Sequence, residues 1–209
     1  MLDEVFNRMF DAYGPQNWWP GESDLEIVVG AVLTQNTNWR NVELAIENLR
    51  SAKLLSLEEL HSVANEELES HIRPAGYFRL KAKRLKNVIR FIVEQYGSMD
   101  ALRDTALDRL RKELLCINGV GPETADSILL YACSKPTFVV DAYTARILKR
   151  HGWIEADADY HAIKEFFESQ LNHEVDHFNE FHALVVQIGK HHCKPKAKCE
   201  GCPLNRSST

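Results

Sequence analysis

The strongest constraint on how this chain folds is a glycine-bracketed corner between two apolar segments. Residues 115–141 read LCINGVGPETADSILLYACSKPTFVVD, with Gly119 and Gly121 on either side of one valine. Glycine permits positive φ and lets another stretch of backbone approach closely, and the following Pro122 suits the first position of a helix. The segment therefore predicts one helix ending, a tight hairpin and a second helix beginning.

The same segment predicts a phosphate site and an acid beyond it. The amides from Val120 to Glu123 are expected to face outward at a helix N-terminus, where a phosphate binds readily. We predict that this helix runs to about Cys133 and that Pro136 prevents its continuation. An apolar run then leads to Asp141, whose carboxylate either caps the next helix or takes part in chemistry.

Hydrophobic spacing along the rest of the chain predicts an all-α protein. Apolar residues recur at the three- and four-residue intervals of amphipathic helices, and strand patterns are nearly absent. The 209 residues, 44% of them apolar, suffice for one or two domains with a real core. Helices are predicted over residues 2–13, 25–33, 40–52, 57–71 (two short ones), 78–96, 106–114, 142–151, 159–170 and 174–192.

Charge and cysteine content exclude several classes of protein. No run of eighteen apolar residues occurs, so no membrane span is expected, and the charged N-terminus does not resemble a signal peptide. Five cysteines, three of them near the C-terminus, favour a cytoplasmic protein with a metal or cluster over a disulfide scaffold. The net charge of −5 does not by itself indicate nucleic-acid binding, but residues 71–90 hold seven Lys or Arg and no acid.

The hairpin and its surroundings resemble the helix-hairpin-helix DNA glycosylases. G-V-G-x-x-T-A followed by V-D is similar to endonuclease III, and the order of features also matches: a glutamine after the first long helix, a basic helix, the hairpin, the acid and a cysteine tail. The resemblance implies two helical domains with the substrate cleft between them. One is a six-helix block over 23–136, and the other joins 1–22 to 137–209. The implied partner is double-stranded DNA with a damaged base, bound by a monomer.

By this resemblance Asp141 is the candidate catalytic residue. Breaking a base–sugar bond builds positive charge on the sugar, which a carboxylate stabilises while it orients or deprotonates a water. Family members that also cut the DNA backbone carry a lysine in the hairpin helix, where this chain has Glu123. We therefore expect a monofunctional glycosylase, unless another lysine such as Lys190 reaches the sugar. The alternatives are an endonuclease III-like lyase acting on another lesion, a non-enzymatic DNA-binding module and a cluster-bearing redox protein.

Aromatic residues predict a pocket for an extruded base. N-W-W-P at 17–20 and G-A-V-L-T-Q-N-T-N-W at 30–39 resemble the 3-methyladenine branch of the family. Stacking contributes about 1–3 kcal/mol per base, and a cationic base adds a cation–π attraction. The implied pocket residues are Trp18 and Trp39, which sandwich the base, with Glu123, Lys190 and Trp19. The alternative is that the tryptophans are core or domain-interface residues.

DNA contacts are predicted at the hairpin and at two further loops. A flipped base leaves a gap that a side chain must fill. Gln35 matches the family's gap-filling glutamine, and Tyr77 follows a P-A-G turn where a wedge is expected; a polar helix cap and a partly buried tyrosine are the alternatives. The other predicted DNA-binding residues are Gly119, Val120, Gly121 and Lys81. Lys81 belongs to a basic run that could equally be a solvated helix face.

The C-terminal cysteines predict a metal site. Cys193-x5-Cys199-x2-Cys202 has thiolate spacing that suits an iron–sulfur cluster or zinc. The resemblance implies a [4Fe-4S] cluster on four cysteines, but the family's fourth position is Ser208 here. Ser208, His191, His192 or an exogenous ligand could complete the set, and an empty site is the remaining possibility.

Overall fold

Helices make up all the regular secondary structure of residues 1–205, which are the residues that this computed structural model describes. The all-α prediction is confirmed. The α-helices are α1 (Leu2–Tyr13), α2 (Asp24–Leu33), α3 (Trp39–Ser51), α4 (Leu57–Ser62), α5 (Asn65–Ile72), α6 (Phe78–Gln95), α7 (Met99–Asp104), α8 (Leu107–Leu115), α9 (Pro122–Ser127), α10 (Ala142–His151), α11 (Tyr160–Glu168) and α12 (Val175–His191). A 3₁₀ turn, Arg73–Ala75, precedes α6, and a π-helical turn, Ile128–Ala132, extends α9.

The chain divides into two compact units. Pro20–Lys135 forms one, called here the central unit; Met1–Trp19 and the described residues from Pro136 to Asn205 form the other, called the terminal unit. The central unit is built around α2, in which every residue from Leu25 to Leu33 is buried. Helices α3, α6 and α9 pack around α2, which is apolar nearly all round, as a covered helix must be; the buried Glu26 is paired with Arg50 at 2.8 Å. No helix within residues 1–205 is long and apolar enough to cross a bilayer.

The terminal unit is built around α12, which packs against α1 and α10. Its core is aromatic: the Phe138 and Phe167 rings stack with centroids 3.8 Å apart, and Phe178 and Phe181 lie edge-on to Phe138. These rings bury the segment that leads directly into Asp141.

Helices α10 and α12 approach each other very closely at one glycine. A Cβ on Gly189 of α12 would lie 2.3 Å from ring atoms of Tyr143 on α10. Any larger residue at 189 would push the two helices apart. This close packing fixes the start of α10, where the candidate acid lies.

Candidate functional site

The predicted hairpin is present between α8 and α9. Gly119 has φ of 97°, a left-handed conformation that favours glycine, and a Cβ there would lie 2.3 Å from Cγ of Arg84. The stem of Arg84, on α6, therefore lies directly against the turn. The Val120 amide donates to the Ile117 carbonyl oxygen at 3.0 Å. This corrects one expectation, because the Val120 amide is engaged within the turn and does not point outward to a phosphate.

A buried ion pair joins the two helices of the hairpin motif. Arg111 on α8 donates from Nε and Nη2 to the two carboxylate oxygens of Asp126 on α9, at 2.7 and 3.1 Å. The Asp126 side chain is fully buried. A bidentate guanidinium–carboxylate pair has a defined geometry, so it fixes the angle between α8 and α9 around the turn.

Gln35 is bound to the hairpin. Its Nε2 donates to the Gly119 carbonyl oxygen at 3.2 Å and to Thr124 Oγ1 at 2.9 Å. Its Oε1 accepts a hydrogen bond from Arg84 Nη1. The side chain is half-buried, and the loop that carries it is therefore held to the hairpin by two hydrogen bonds and to α6 by a third.

Tyr77 and Lys81 have opposite environments. Tyr77 is 72% exposed and has φ of 46°, so a bulky ring is presented to solvent at the start of α6. Lys81 is buried, and its ammonium donates to the carbonyl oxygens of Leu33 at 2.8 Å and Ala75 at 2.6 Å. The prediction that Lys81 contacts DNA phosphate is therefore wrong, because both its position and its hydrogen bonds direct it inward.

Trp39 and Glu123 also belong to the central unit. Trp39 begins α3, whose N-cap Asn38 accepts from the Asn41 amide at 3.1 Å. The half-buried Trp39 ring lines an open cavity of about 580 Å³ together with Pro20. Glu123 is exposed in the first turn of α9, where an acid interacts favourably with the helix dipole.

Asp141 caps α10 in the terminal unit. Its Oδ1 accepts from the Thr144 amide at 2.7 Å and from Thr144 Oγ1 at 2.8 Å, and the Asp141 amide donates to Thr144 Oγ1 at 3.5 Å, which completes a capping box. The side chain is 15% exposed, so solvent reaches a carboxylate that is otherwise enclosed. The helix cap that was the alternative to catalysis is thus present. It anchors only Oδ1 of the Asp141 carboxylate.

His182 faces the second oxygen of Asp141. Its Nε2 lies 3.7 Å from Asp141 Oδ2, and its ring lies edge-on to Phe138 in the aromatic core. Burial lowers the pKa of His182, and the Asp141 carboxylate opposes this only in part. Burial therefore favours the neutral form of the imidazole that borders the carboxylate.

Two predicted pocket residues of the terminal unit lie together. Lys190 Nζ lies 5.6 Å from the centroid of the Trp18 ring, within the range of a cation–π interaction. Trp19 lies beside Trp18, with ring centroids 5.4 Å apart and planes inclined by 55°. Lys190 itself is exposed near the end of α12.

Arginines of α10 hold the first part of the cysteine loop. Arg146 Nε donates to the Cys193 carbonyl oxygen at 2.6 Å, and Arg150 donates to Cys193 Sγ at 3.3 Å. Arg150 also donates to the carbonyl oxygens of Lys194 and Pro195. The two arginines therefore hold the chain around Cys193 against α10.

Cys193, Cys199 and Cys202 share the loop that follows α12, where Cys193 and Cys202 are buried and Cys199 is exposed. Burial raises the pKa of the Cys202 thiol, and the thiols of Cys199 and Cys193 raise it further. The Tyr13 hydroxyl is buried and has no hydrogen-bond partner among residues 1–205, and Cys202 contributes to its raised pKa. These donors fit a thiolate-held metal group in kind. Within residues 1–205, however, no group of three or more His, Cys, Asp or Glu side chains is arranged as a metal site.

The fourth ligand is not identified by the residues around the loop. Ser208, one of the predicted candidates, lies outside the described residues. His192 Nδ1 is 3.1 Å from the Lys198 carbonyl oxygen, so that nitrogen already interacts with the loop backbone.

Comparison with known proteins identifies the class. Residues 29–173 match the family of HhH-GPD superfamily base excision DNA repair proteins. The chain is 51% identical over 206 residues to "Putative DNA repair glycosylase MJ1434" of Methanocaldococcus jannaschii, covering 98% of this chain and 94% of that protein. It is 30% identical over 211 residues to an endonuclease III of Thermotoga maritima, covering 98% of this chain and 90% of that protein.

Solved structures similar to this chain include DNA glycosylases. A 3-methyladenine DNA glycosylase of H. pylori (MagIII) bound to 1,N6-ethenoadenine is 29% identical, with a TM-score of 0.79, and covers 90% of this chain and 97% of that one. An endonuclease III–DNA complex shares the fold at 22% identity, with a TM-score of 0.82, and covers 98% and 93%. The chain belongs to the HhH-GPD superfamily. It is a DNA N-glycosylase of base excision repair.

Sequence reasoning missed the contacts that three residues make in these sites. Asp126 had a detectable signal, because an acid inside the apolar segment after Gly121 needs a buried partner. The contacts of Arg84 with Gln35 and of His182 with Asp141 had no sequence signal, since each joins residues that are distant in the chain.

Proposed function

We propose that this protein hydrolyses the N-glycosidic bond of alkylated purines such as 3-methyladenine in double-stranded DNA, acts as a monomer and leaves the DNA backbone intact. The observation that carries the proposal is the environment of Asp141, a carboxylate with Oδ1 anchored by Thr144 and Oδ2 3.7 Å from Nε2 of the buried His182. Such a group is rigid, negatively charged and accessible to solvent.

The proposed chemistry uses Asp141 in two ways. As the base departs, positive charge develops on the sugar, and the carboxylate stabilises it electrostatically. The same carboxylate orients a water for attack and accepts its proton. Alkylation at a ring nitrogen gives the purine a positive charge and makes it a good leaving group, so a strong general acid is not required. The amine nucleophile of the lyases is replaced in the hairpin helix by Glu123, which cannot form a Schiff base.

Base recognition is proposed to use the tryptophans and the residues predicted with them. Trp18 and Trp39 offer stacking faces, Glu123 favours a cationic base, and Lys190 holds the Trp18 ring by a cation–π contact. The similarity to a glycosylase named for 3-methyladenine supports this choice of lesion. Gln35 and Tyr77 are proposed to fill the gap that the flipped base leaves.

A lesion panel tests both parts of the proposal in one assay. Duplexes containing methylated adenine or an oxidised pyrimidine are incubated with enzyme and analysed with and without alkali. We expect methylated adenine to be released preferentially and strands to break only after alkali. Preferential release of the oxidised pyrimidine would contradict the lesion assignment, and strand breaks without alkali would contradict monofunctional hydrolysis.

A glycosylase/lyase is the second candidate, and Lys190 is the observation that favours it. Its ammonium is exposed and lies 5.6 Å from the Trp18 ring centroid, so an amine is present beside a predicted pocket residue. If Lys190 attacks the sugar, borohydride traps a covalent enzyme–DNA adduct that Lys190→Ala abolishes. Absence of the adduct in the wild type supports the monofunctional assignment.

We further propose that Cys193, Cys199 and Cys202 hold a [4Fe-4S] cluster, which would order the basic loop bearing Lys194, Lys196 and Lys198. We expect anaerobically purified protein to contain iron and to absorb near 400 nm. Cys199→Ser should lose both. Cys116→Ser, which alters an exposed cysteine of the central unit, should retain both. Zinc in place of iron, or metal-free protein that does not absorb near 400 nm, would contradict the proposal.

A further inference from the structure

Lys81 connects two loops of the central unit from the inside. Its side chain is 1% exposed, and its ammonium donates to the Leu33 carbonyl oxygen at 2.8 Å and to the Ala75 carbonyl oxygen at 2.6 Å. Leu33 is the last residue of α2, and Ala75 is the last residue of the 3₁₀ turn. One ammonium thus joins the ends of two elements that are about forty residues apart in the chain.

Each of these carbonyls lies two residues before a proposed gap-filling side chain. Gln35 follows Leu33, and Tyr77 follows Ala75. Tyr77 is highly exposed and has a left-handed backbone conformation, which an aromatic residue rarely adopts without support from its surroundings. Arg84, three residues after Lys81 on α6, binds Gln35 Oε1 in addition. Helix α6 is therefore the common support of both loops.

The ammonium is an unusual choice for this buried position. Burial lowers the pKa of Lys81 to about 8, with the nearby Arg84 adding a smaller effect. A buried cation is costly unless it is hydrogen-bonded, and an apolar side chain of similar volume often packs at least as well. The two carbonyl contacts are what an apolar residue cannot supply, and one of them also places positive charge at the C-terminal end of α2, where it is favourable.

We propose that Lys81 is a positioning residue that sets the spacing between the Gln35 and Tyr77 loops, so that both side chains enter the duplex together. The inference rests on the proposed function of those two side chains. It assigns Lys81 no contact with DNA. Its role is exerted through the carbonyl oxygens of Leu33 and Ala75.

The test compares a paired lesion with the same lesion inside a bubble of unpaired bases. Lys81→Met keeps the length of the side chain and removes the ammonium. A misplacement of about 1 Å can cost roughly 100-fold in rate, so we expect single-turnover excision from the paired duplex to fall about 10- to 100-fold. Excision from the bubble, where no base pair must be opened, should fall by less than about 3-fold, because base opening is the step affected. Lys83→Met, which removes the same charge from an exposed position of α6, is the matched control and should affect both substrates equally.

A double-mutant cycle separates positioning from general destabilisation. Lys81→Met added to Tyr77→Ala should reduce paired-duplex excision by less than about 2-fold further, because coupled residues are not additive. Equal losses on both substrates, or full additivity with Tyr77→Ala, would overturn the proposal. If Lys81→Met does not fold, Lys81→Gln takes its place; its shorter amide reaches at most one carbonyl, and the same pattern of losses is required.

A fluorescence measurement distinguishes failure of this inference from failure of the proposed function. 2-Aminopurine placed beside an uncleavable abasic analogue reports base unstacking without excision. If the lesion assignment is wrong, excision is absent but wild-type protein still unstacks the probe, and Lys81→Met should still weaken that signal. An unchanged signal in Lys81→Met would overturn the role of Lys81.

Discussion

Asp141→Asn is expected to reduce excision by about 10²- to 10⁴-fold, the range associated with loss of a general base or of a charge that stabilises the transition state. The variant keeps the shape of the side chain and removes its negative charge. Asparagine caps helices as well as aspartate does, so the hydrogen bonds from Thr144 to the retained oxygen can persist and the unfolding free energy should change by less than about 1 kcal/mol. Single-turnover rates on a lesion duplex, with thermal unfolding in parallel, measure both effects.

The chain contains a matched control for this experiment. Asp159 caps α11 in the same manner, accepting from the Ala162 amide at 2.9 Å, but it is exposed and has no proposed catalytic role. Asp159→Asn should therefore keep full activity. Affinity for a duplex carrying an uncleavable abasic analogue should be unchanged in both variants. Retention of more than about a tenth of wild-type activity in Asp141→Asn, against the losses expected for such groups, would refute the catalytic assignment.

Gly119→Ala is expected to have the second largest effect, on both stability and DNA binding. An alanine at φ of 97° carries a strain of about 1–3 kcal/mol, and its Cβ would overlap the stem of Arg84, 2.3 Å away, at a further cost of about 1–3 kcal/mol. Arg84 cannot move freely, because its guanidinium binds Gln35. Displacing the hairpin should weaken duplex binding, measurable by fluorescence anisotropy, together with a lower unfolding temperature.

Gly121 provides the comparison within the same turn. Its φ of −94° suits any residue, and no atom of the described chain lies within 4 Å of an added Cβ. Gly121→Ala should cost about 1 kcal/mol, because Gly121 is the N-cap of α9 and alanine is a poorer N-cap than glycine. Weaker DNA binding by this variant would then report contact between backbone and phosphate. If Gly119→Ala and Gly121→Ala have equal unfolding temperatures, backbone strain at Gly119 does not explain the effect of Gly119→Ala.

The helices could be predicted from sequence because their signals are local. The pattern from Leu25 to Leu33 predicts a buried helix, and α2 occupies Asp24–Leu33. Helix α7 was not predicted, since six residues are too few for a periodicity, although Ser98 provides its cap. The domain limits at 22/23 and 136/137 and the roles of the site residues stay predictions.

Tertiary contacts explain what sequence reasoning could not predict. Lys81 belongs to a basic run, which suggests a surface, but it shares a helical face with Leu85 and Val88, which are buried. Its acceptors come from elements distant in the chain, so only the folded protein reveals them. His182 likewise has no spacing to another ligand in the sequence, and it meets Asp141 only because α10 packs on α12.

The two arginines of α10, Arg146 and Arg150, hold the loop after α12 mainly through its backbone. Within residues 1–205 they bind main-chain oxygens of residues 193–195, and one of their hydrogen bonds reaches a side chain, the Cys193 sulfur. Main-chain recognition is indifferent to residue type, so the bonds to residues 194 and 195 would persist if the side chains at these positions were changed. A ten-residue helix is too short to persist alone. Thr144 binds Asp141 at the N-terminus of α10, and Arg150 binds the loop after α12 at its C-terminus. Both ends of α10 are therefore held against fraying.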